Sequence, residues 1–302
     1  MASMMRPIST AHVDLDGAWS HDVLDHRLDF REWGPRLRYS ATPRLLDAFY
    51  RSIQPDLEAF TLYGSGDFHH LSALWLRNLT VPVCLVSFDN HPDWDVRPPD
   101  WGCGGWINRA LELPNVTRAS VWGCGNFELN WPHRLFGNQD ALASGRLEVF
   151  PWRDRIGRTA RKRWPAMTCD DWRPRFSGFA QSLAGQRVYV TVDLDCLSAG
   201  EAVTNWEPGL FTAGDIAWAL DELHAAAEVV GGDVCGAWSI PQHARFKQWL
   251  SSRLDHPRLP RVDSAHAARA NERALRIIWR SLTGASAGYD QYAGADQRYA
   301  HP

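Results

Sequence analysis

The chain has 302 residues, of which 45% are hydrophobic and 22% charged, with a formal net charge of −3. That balance can fill a sizeable core and excludes a mostly disordered chain, and near-neutrality argues against nucleic acid as the main partner. No apolar run is as long as a membrane helix requires, and the start, with the single Arg6 and no apolar core behind it, is not expected to be a secretory signal.

Along the chain, β-rich apolar runs alternate with helical patterns. Strands are expected at His12–Leu15, Ala59–Tyr63, Val83–Phe88, Ala119–Trp122, Leu147–Phe150, Val188–Val192 and Val229–Val234. Helices are expected at Leu71–Asn78, Trp106–Glu112, Phe176–Ala184 and Ala213–Ala227. Two more, Ala244–Arg253 and Ala265–Leu282, close the chain, with Gly284 as C-cap. Such alternation predicts an α/β fold with a mostly parallel sheet covered on both faces. No clean linker interrupts residues 1–302, so one domain is expected, with 285–302 as a flexible tail. The six cysteines stand singly, without a CxxC pair, as expected of reduced thiols in a cytoplasmic protein. The basic run from Arg153 to Arg163 is expected to be a solvated face. Sixteen tryptophans outnumber the seven tyrosines and the twelve phenylalanines. Trp94, Trp101, Trp106, Trp122, Trp206 and Trp238 lie within or beside the segments that carry the chemistry, where they suit an open aromatic groove. Trp75, Trp218 and Trp279 fall on helices and suit the core.

Chemistry-bearing residues collect just past three strand ends, the rim at which open α/β sheets bind ligands. In Asp89-Asn-His91-Pro-Asp93, two carboxylates and an imidazole fall at i, i+2 and i+4. If the extended geometry continues, these side chains converge on one side. The mixed oxygen and nitrogen set suits manganese or a related divalent ion better than thiolate-bound zinc. An acidic loop paired with arginines such as Arg97 is the alternative. Asp193-Leu-Asp195 repeats the logic at a second strand end, and Gly64-Ser-Gly-Asp67-Phe-His69-His70 brings a glycine turn and two histidines to the same rim. Four carboxylates and two imidazoles make a two-metal site, and its natural chemistry is hydrolysis at a carbon bearing nitrogen or oxygen.

These segments resemble the arginase (ureohydrolase) superfamily, whose hallmarks run in the same order. Gly64 to His69 resembles its Gly-Gly-Asp-His segment with Phe68 inserted, Asp89 to Asp93 matches its Asp-x-His-x-Asp, and Thr191-Val-Asp193-Leu-Asp195 matches its Ser-x-Asp-x-Asp with Thr for Ser. The resemblance spans about residues 58–236 and implies a three-layer α/β/α fold with two Mn2+ ions at the sheet rim. By the same resemblance the ligands are His69, Asp89, His91, Asp93, Asp193 and Asp195, with Asp93 or a nearby acid relaying the proton.

Two departures stand out. Gly102-Cys103-Gly104 offers Cys103 where the family has a proton-shuttling histidine. Asp233-Val-Cys-Gly236 has glycine where the family has the glutamate that grips a guanidinium. Glu207 and Asp16 are candidates for the missing carboxylate, and His70 and Trp94 are further candidate substrate contacts. Kept metal ligands with altered substrate residues are similar to the peptide arginases, which convert arginine residues of ribosomally made precursors to ornithine and release urea. The expected partner is a peptide or a small guanidino substrate. The alternatives are an amidohydrolase or deacetylase of the wider superfamily, and a silent metal- or peptide-binding module.

Overall fold

The computed structural model describes residues 9–97, 100–258 and 262–284; the start containing Arg6 and the expected tail at 285–302 lie outside them. Among the described residues ten strands occur in chain order: β1 (Thr10–Asp14), β2 (Arg27–Asp29), β3 (Ser40–Ala41), β4 (Phe60–Tyr63), β5 (Val83–Phe88), β6 (Trp101–Gly102), β7 (Val116–Trp122), β8 (Leu147–Phe150), β9 (Arg187–Asp193) and β10 (Glu228–Cys235). Eight form one sheet in the order β2-β1-β4-β10-β9-β5-β7-β8, every adjacent pair parallel. The remaining two, β3 and β6, make a small antiparallel pair.

β4 and β5 are buried from end to end, as parallel strands covered on both faces must be, and β9 and β10 are buried towards their C-terminal ends. Side chains alternate between two cores. Val83 and Leu85 of β5 join Leu46, Phe49, Trp75 and Ile107 on one face. Val86 and Phe88 join Phe176, Ile216, Leu220 and Ile278 on the other. Helices Pro43–Ile53, Ser72–Leu76 and Trp106–Leu111 supply the first layer, and Trp172–Ser182, Ala213–Ala226 and Ser264–Thr283 the second. The architecture is therefore the three-layer α/β/α arrangement. Among the described residues no helix is long and apolar enough to cross a membrane.

The expected strands all form, with ends shifted by a few residues. Two elements that the pattern misses are β2, three residues without an apolar stripe, and helix Pro43–Ile53. The helix expected from Leu71 begins instead as a 3-10 turn over Gly66–Leu71 and is α-helical only from Ser72 to Leu76.

The open aromatic groove needs correction. Trp94, Trp101, Trp106, Trp122 and Trp206 are buried, and Trp122 lies stacked on Phe150 at 3.8 Å between ring centroids, inside the core.

Register brings the site together. Phe88 of β5 pairs with Val192 of β9, so Asp89 and Asp193 leave the sheet side by side. On the other side of β9, Cys235 of β10 pairs with Asp193, and the Gly236 amide donates to the Gly64 carbonyl beyond β4. The C-terminal ends of β4, β10, β9 and β5 thus form one continuous rim.

Candidate metal centre and its pocket

The ligand candidates converge through turns, not through continued strand geometry. After β5 the chain bends at once: the His91 amide donates to Asp89 Oδ1 at 2.7 Å, and Asp93 sits at φ +47°, a left-handed conformation costly for a residue with a Cβ. After β9, Asp193 Oδ1 accepts from the Asp195 amide at 3.0 Å and caps a short 3-10 turn. The i, i+2, i+4 expectation therefore places the right residues for a different backbone reason.

Two groups of side chains result. His69 Nδ1 lies 3.0 Å from Asp89 Oδ2, 3.4 Å from Asp93 Oδ2 and 3.6 Å from Asp193 Oδ2. His91 Nδ1 lies 2.9 Å from Asp195 Oδ2 and 3.5 Å from Asp89 Oδ1. Asp89 thus faces one imidazole with each oxygen. Behind His69, its Nε2 meets Thr191 Oγ1 at 2.9 Å, and Thr191 donates to Asp233 Oδ1 at 2.6 Å. Asp233 is further held by Tyr63, Ser72 and Tyr189. That chain makes Nε2 the protonated nitrogen and turns the Nδ1 lone pair towards the carboxylates. Trp106 packs its ring 4.6 Å from His69 and donates Nε1 to Asp93 Oδ2 at 2.6 Å.

The electrostatics fit a pair of divalent cations. His69 Nδ1 and Asp89 Oδ2 are buried without a hydrogen-bond partner. Burial, with Asp89 adding to it, pushes Asp93 up to about 7, and burial likewise lifts Asp193 to about 6. Burial, then Asp193 and Asp89, drives Asp195 well above the carboxylate range. Burial opposes charge on Asp89, yet the adjacent imidazoles of His69 and His91 hold it low. Burial also opposes charge on the two imidazoles; the carboxylates, chiefly Asp89 and Asp93 for His69 and Asp195 for His91, nevertheless raise both well above their ordinary value. A cluster that retains protons in place of cations is the expected signature of metal ligands without metal.

Above the cluster lies a pocket lined among others by His91, Asp93, Cys103, Asn126, Glu128, Trp206 and Glu207. Glu207 Oε2 stands 3.5 Å from His91 Nε2, which holds its carboxyl low. Cys103 lines the pocket, but burial and then Asp67 and Asp93 raise its thiol far above neutrality.

Three candidates fall elsewhere. Asp16 is absent from the pocket lining: its Oδ2 accepts from Ser239 Oγ at 2.5 Å, from Arg38 Nη1 at 3.3 Å and from the Ser65 amide at 3.2 Å, and its Oδ1 from the Ala18 amide at 3.2 Å, so both oxygens are already used. His70, next to the ligand candidate, does not line the pocket; it is fully buried, and desolvation lowers it to about 3. Trp94 is 1% exposed, packed on Trp164 and Gly137, and borders only the groove beside the pocket. Two residues that sequence reasoning missed, Asn126 and Glu128, follow a strand end and carry the same kind of signal as the recognised motifs.

No family model matches the chain. Over 201 residues it is 26% identical to an uncharacterized protein of Thermotoga maritima, a stretch that spans 66% of this chain and 66% of that relative. Among solved structures, proclavaminate amidino hydrolase from Streptomyces clavuligerus aligns with 92% of this chain and 93% of its own, at 14% identity and a TM-score of 0.53. Arginase from Entamoeba histolytica, in complex with L-ornithine, aligns over 91% and 97% at 8% identity and 0.51, and formimidoylglutamase from Bacillus subtilis over 91% and 86% at 14% and 0.50. The chain shares the three-layer fold of these three structures.

Proposed function

We propose that this protein is a two-metal hydrolase that cleaves a guanidino C–N bond, converting an arginine residue of a peptide and water to ornithine and urea. The observation that carries this reading is the pair of ligand groups, His69 with Asp89, Asp93 and Asp193, and His91 with Asp89 and Asp195, at the pocket floor. Two Mn2+ ions held there would supply Lewis-acid activation of water and of the guanidino group.

The protein's own residues then have separable tasks. Asp93 Oδ2 faces His69 and accepts from Trp106, which leaves its other oxygen to take the proton that water gives up and pass it to the departing amine. Cys103, held as the thiol, lends no base. The substrate's length is argued from the mouth of the site. Through Cys103, Gly104, Phe127, Glu128 and Asp255 the pocket continues into a groove lined also by Tyr39, Trp94 and Phe136, which offers a longer substrate room beyond the reacting end.

The loss of the family glutamate at Gly236 favours a second reading, in which the same centre removes an acyl group from an amine. Manganese-loaded protein incubated with arginine peptides, acyl-lysine peptides, agmatine and free arginine separates the two. The arginine peptide is expected to lose the mass of urea less water, with free arginine a poor substrate. Turnover of the acyl-lysine peptide alone overturns the guanidino reading, and no turnover of anything with both ions bound makes the chain a binding module.

A further inference from the structure

Glu128 has no explanation in the packing of the protein. It sits in a 3-10 turn, Phe127–Leu129, whose N-cap Asn126 accepts from the Glu128 amide at 3.2 Å and so fixes the direction of the side chain. Glu128 lines the pocket, and its Oε2 is buried without a hydrogen-bond partner. Beside it Asn126 Nδ2, also lining the pocket, is buried without an acceptor. An orphaned acceptor and an orphaned donor on one turn cost free energy, and a polar ligand in the pocket that both residues line would satisfy them.

The other carboxylates at the mouth are engaged: Glu207 faces His91, and Asp255 accepts from Tyr39 at 3.0 Å. Burial, with Asp93 and Asp255 adding to it, pushes Glu128 up to about 8, as for a carboxyl waiting for a cation. Glu128 lines the same pocket as His91 and Asp93, so a cation held by Glu128 shares that pocket with them.

Resting on the guanidino reading above, we infer that Glu128 is the carboxylate that receives the substrate guanidinium in this chain. Gly236 itself cannot be restored to that task. Its φ is +101°, and a Cβ there would lie 2.2 Å from Asp193 Oδ1. Recognition has moved to a different loop because the sheet end no longer has room for it.

The probes are Nα-acetyl-arginine methylamide, whose only charge is the guanidinium, and the neutral citrulline counterpart. Binding of each to manganese-loaded protein is measured by calorimetry and by thermal shift, for the unmodified chain, for Glu128→Gln, and for Glu112→Gln as an exposed control paired only with Arg109. The unmodified chain and the control are expected to prefer the arginine probe. Glu128→Gln is expected to lose about tenfold or more of that preference, the worth of one charged hydrogen bond, while keeping both ions. It is also expected to melt no lower than the unmodified chain when empty, because it removes an unpaired buried carboxyl. Preference retained in Glu128→Gln overturns the assignment and leaves the hydrolase reading standing. If the unmodified chain itself shows no preference, the guanidino reading fails and the assignment falls with it.

Discussion

At the scale of single residues, the centre depends on groups that never touch the pocket. Thr191 is the clearest, because its hydroxyl connects His69 Nε2 to the buried Asp233 and thereby fixes which imidazole nitrogen faces the carboxylates. Thr191→Val keeps the shape and removes the link. We expect the ion at the His69 group to bind about 10- to 100-fold more weakly while the ion at the His91 group is kept, because only the first is oriented through Thr191. Metal titration followed by calorimetry reads both steps, and equal affinities in the two proteins would remove Thr191 from the account. Much of this was open to sequence reading. Asp89, His91, Asp93, Asp193 and Asp195 were legible because polar groups crowd immediately after apolar strands. Asp233 was legible only as part of a family segment, since nothing local says that a buried carboxylate will be met by two tyrosines, a serine and a threonine from three other elements. Asp16 misled for the converse reason: its aspartate-rich turn looks like a ligand loop, but its partner Arg38 lies 22 residues away and is buried with it.

At the scale of elements, the end of β10 constrains the end of β9. Gly236 follows β10 with a positive φ and passes so close to Asp193 and the Leu194 amide that no side chain fits. Gly236→Ala is therefore expected to displace Asp193, to lower the ion content, and to destabilise the chain by about 2 kcal/mol or more. Urea unfolding and elemental analysis of the purified variant check both effects; unchanged ion content with normal stability would show that the loop can yield. Strands were readable from sequence because a parallel strand buried on both faces is an unbroken apolar run, as Val83–Phe88 is. Helix Pro43–Ile53 carried a usable signal that went unread: Thr42 caps the Leu45 amide at 3.4 Å with Pro43 in the first turn. The turns that gather the ligands were not readable, because the bend at Asp89 and the left-handed Asp93 are set by neighbours in space.

At the scale of the whole molecule, the central cluster makes stability, pH and metal a single problem. In the metal-free protein Asp93 and Asp193 are raised from 3.8 to about 7 and about 6, Glu128 from 4.5 to about 8, and Asp195, His69 and His91 are raised well above their ordinary values. Each of these groups holds its proton more tightly folded than unfolded. Its contribution is complete below its unfolded value, 3.8 for the aspartates and 6.5 for the histidines, and is lost as pH climbs through the raised folded value. Asp89 and Asp67 act oppositely: both are held low when folded, so their contribution is present above 3.8 and is lost in acid. Metal-free protein should accordingly be most stable near about pH 5 and melt at progressively lower temperature towards about pH 8. Divalent ions replace those protons, and the melting temperature of manganese-loaded protein should hold or rise over the same interval, with protons released on binding. Scanning calorimetry across that interval, with chelator and with manganese, gives two curves that diverge as pH rises. Parallel curves would mean that the four carboxylates and two imidazoles do not act as one cation site.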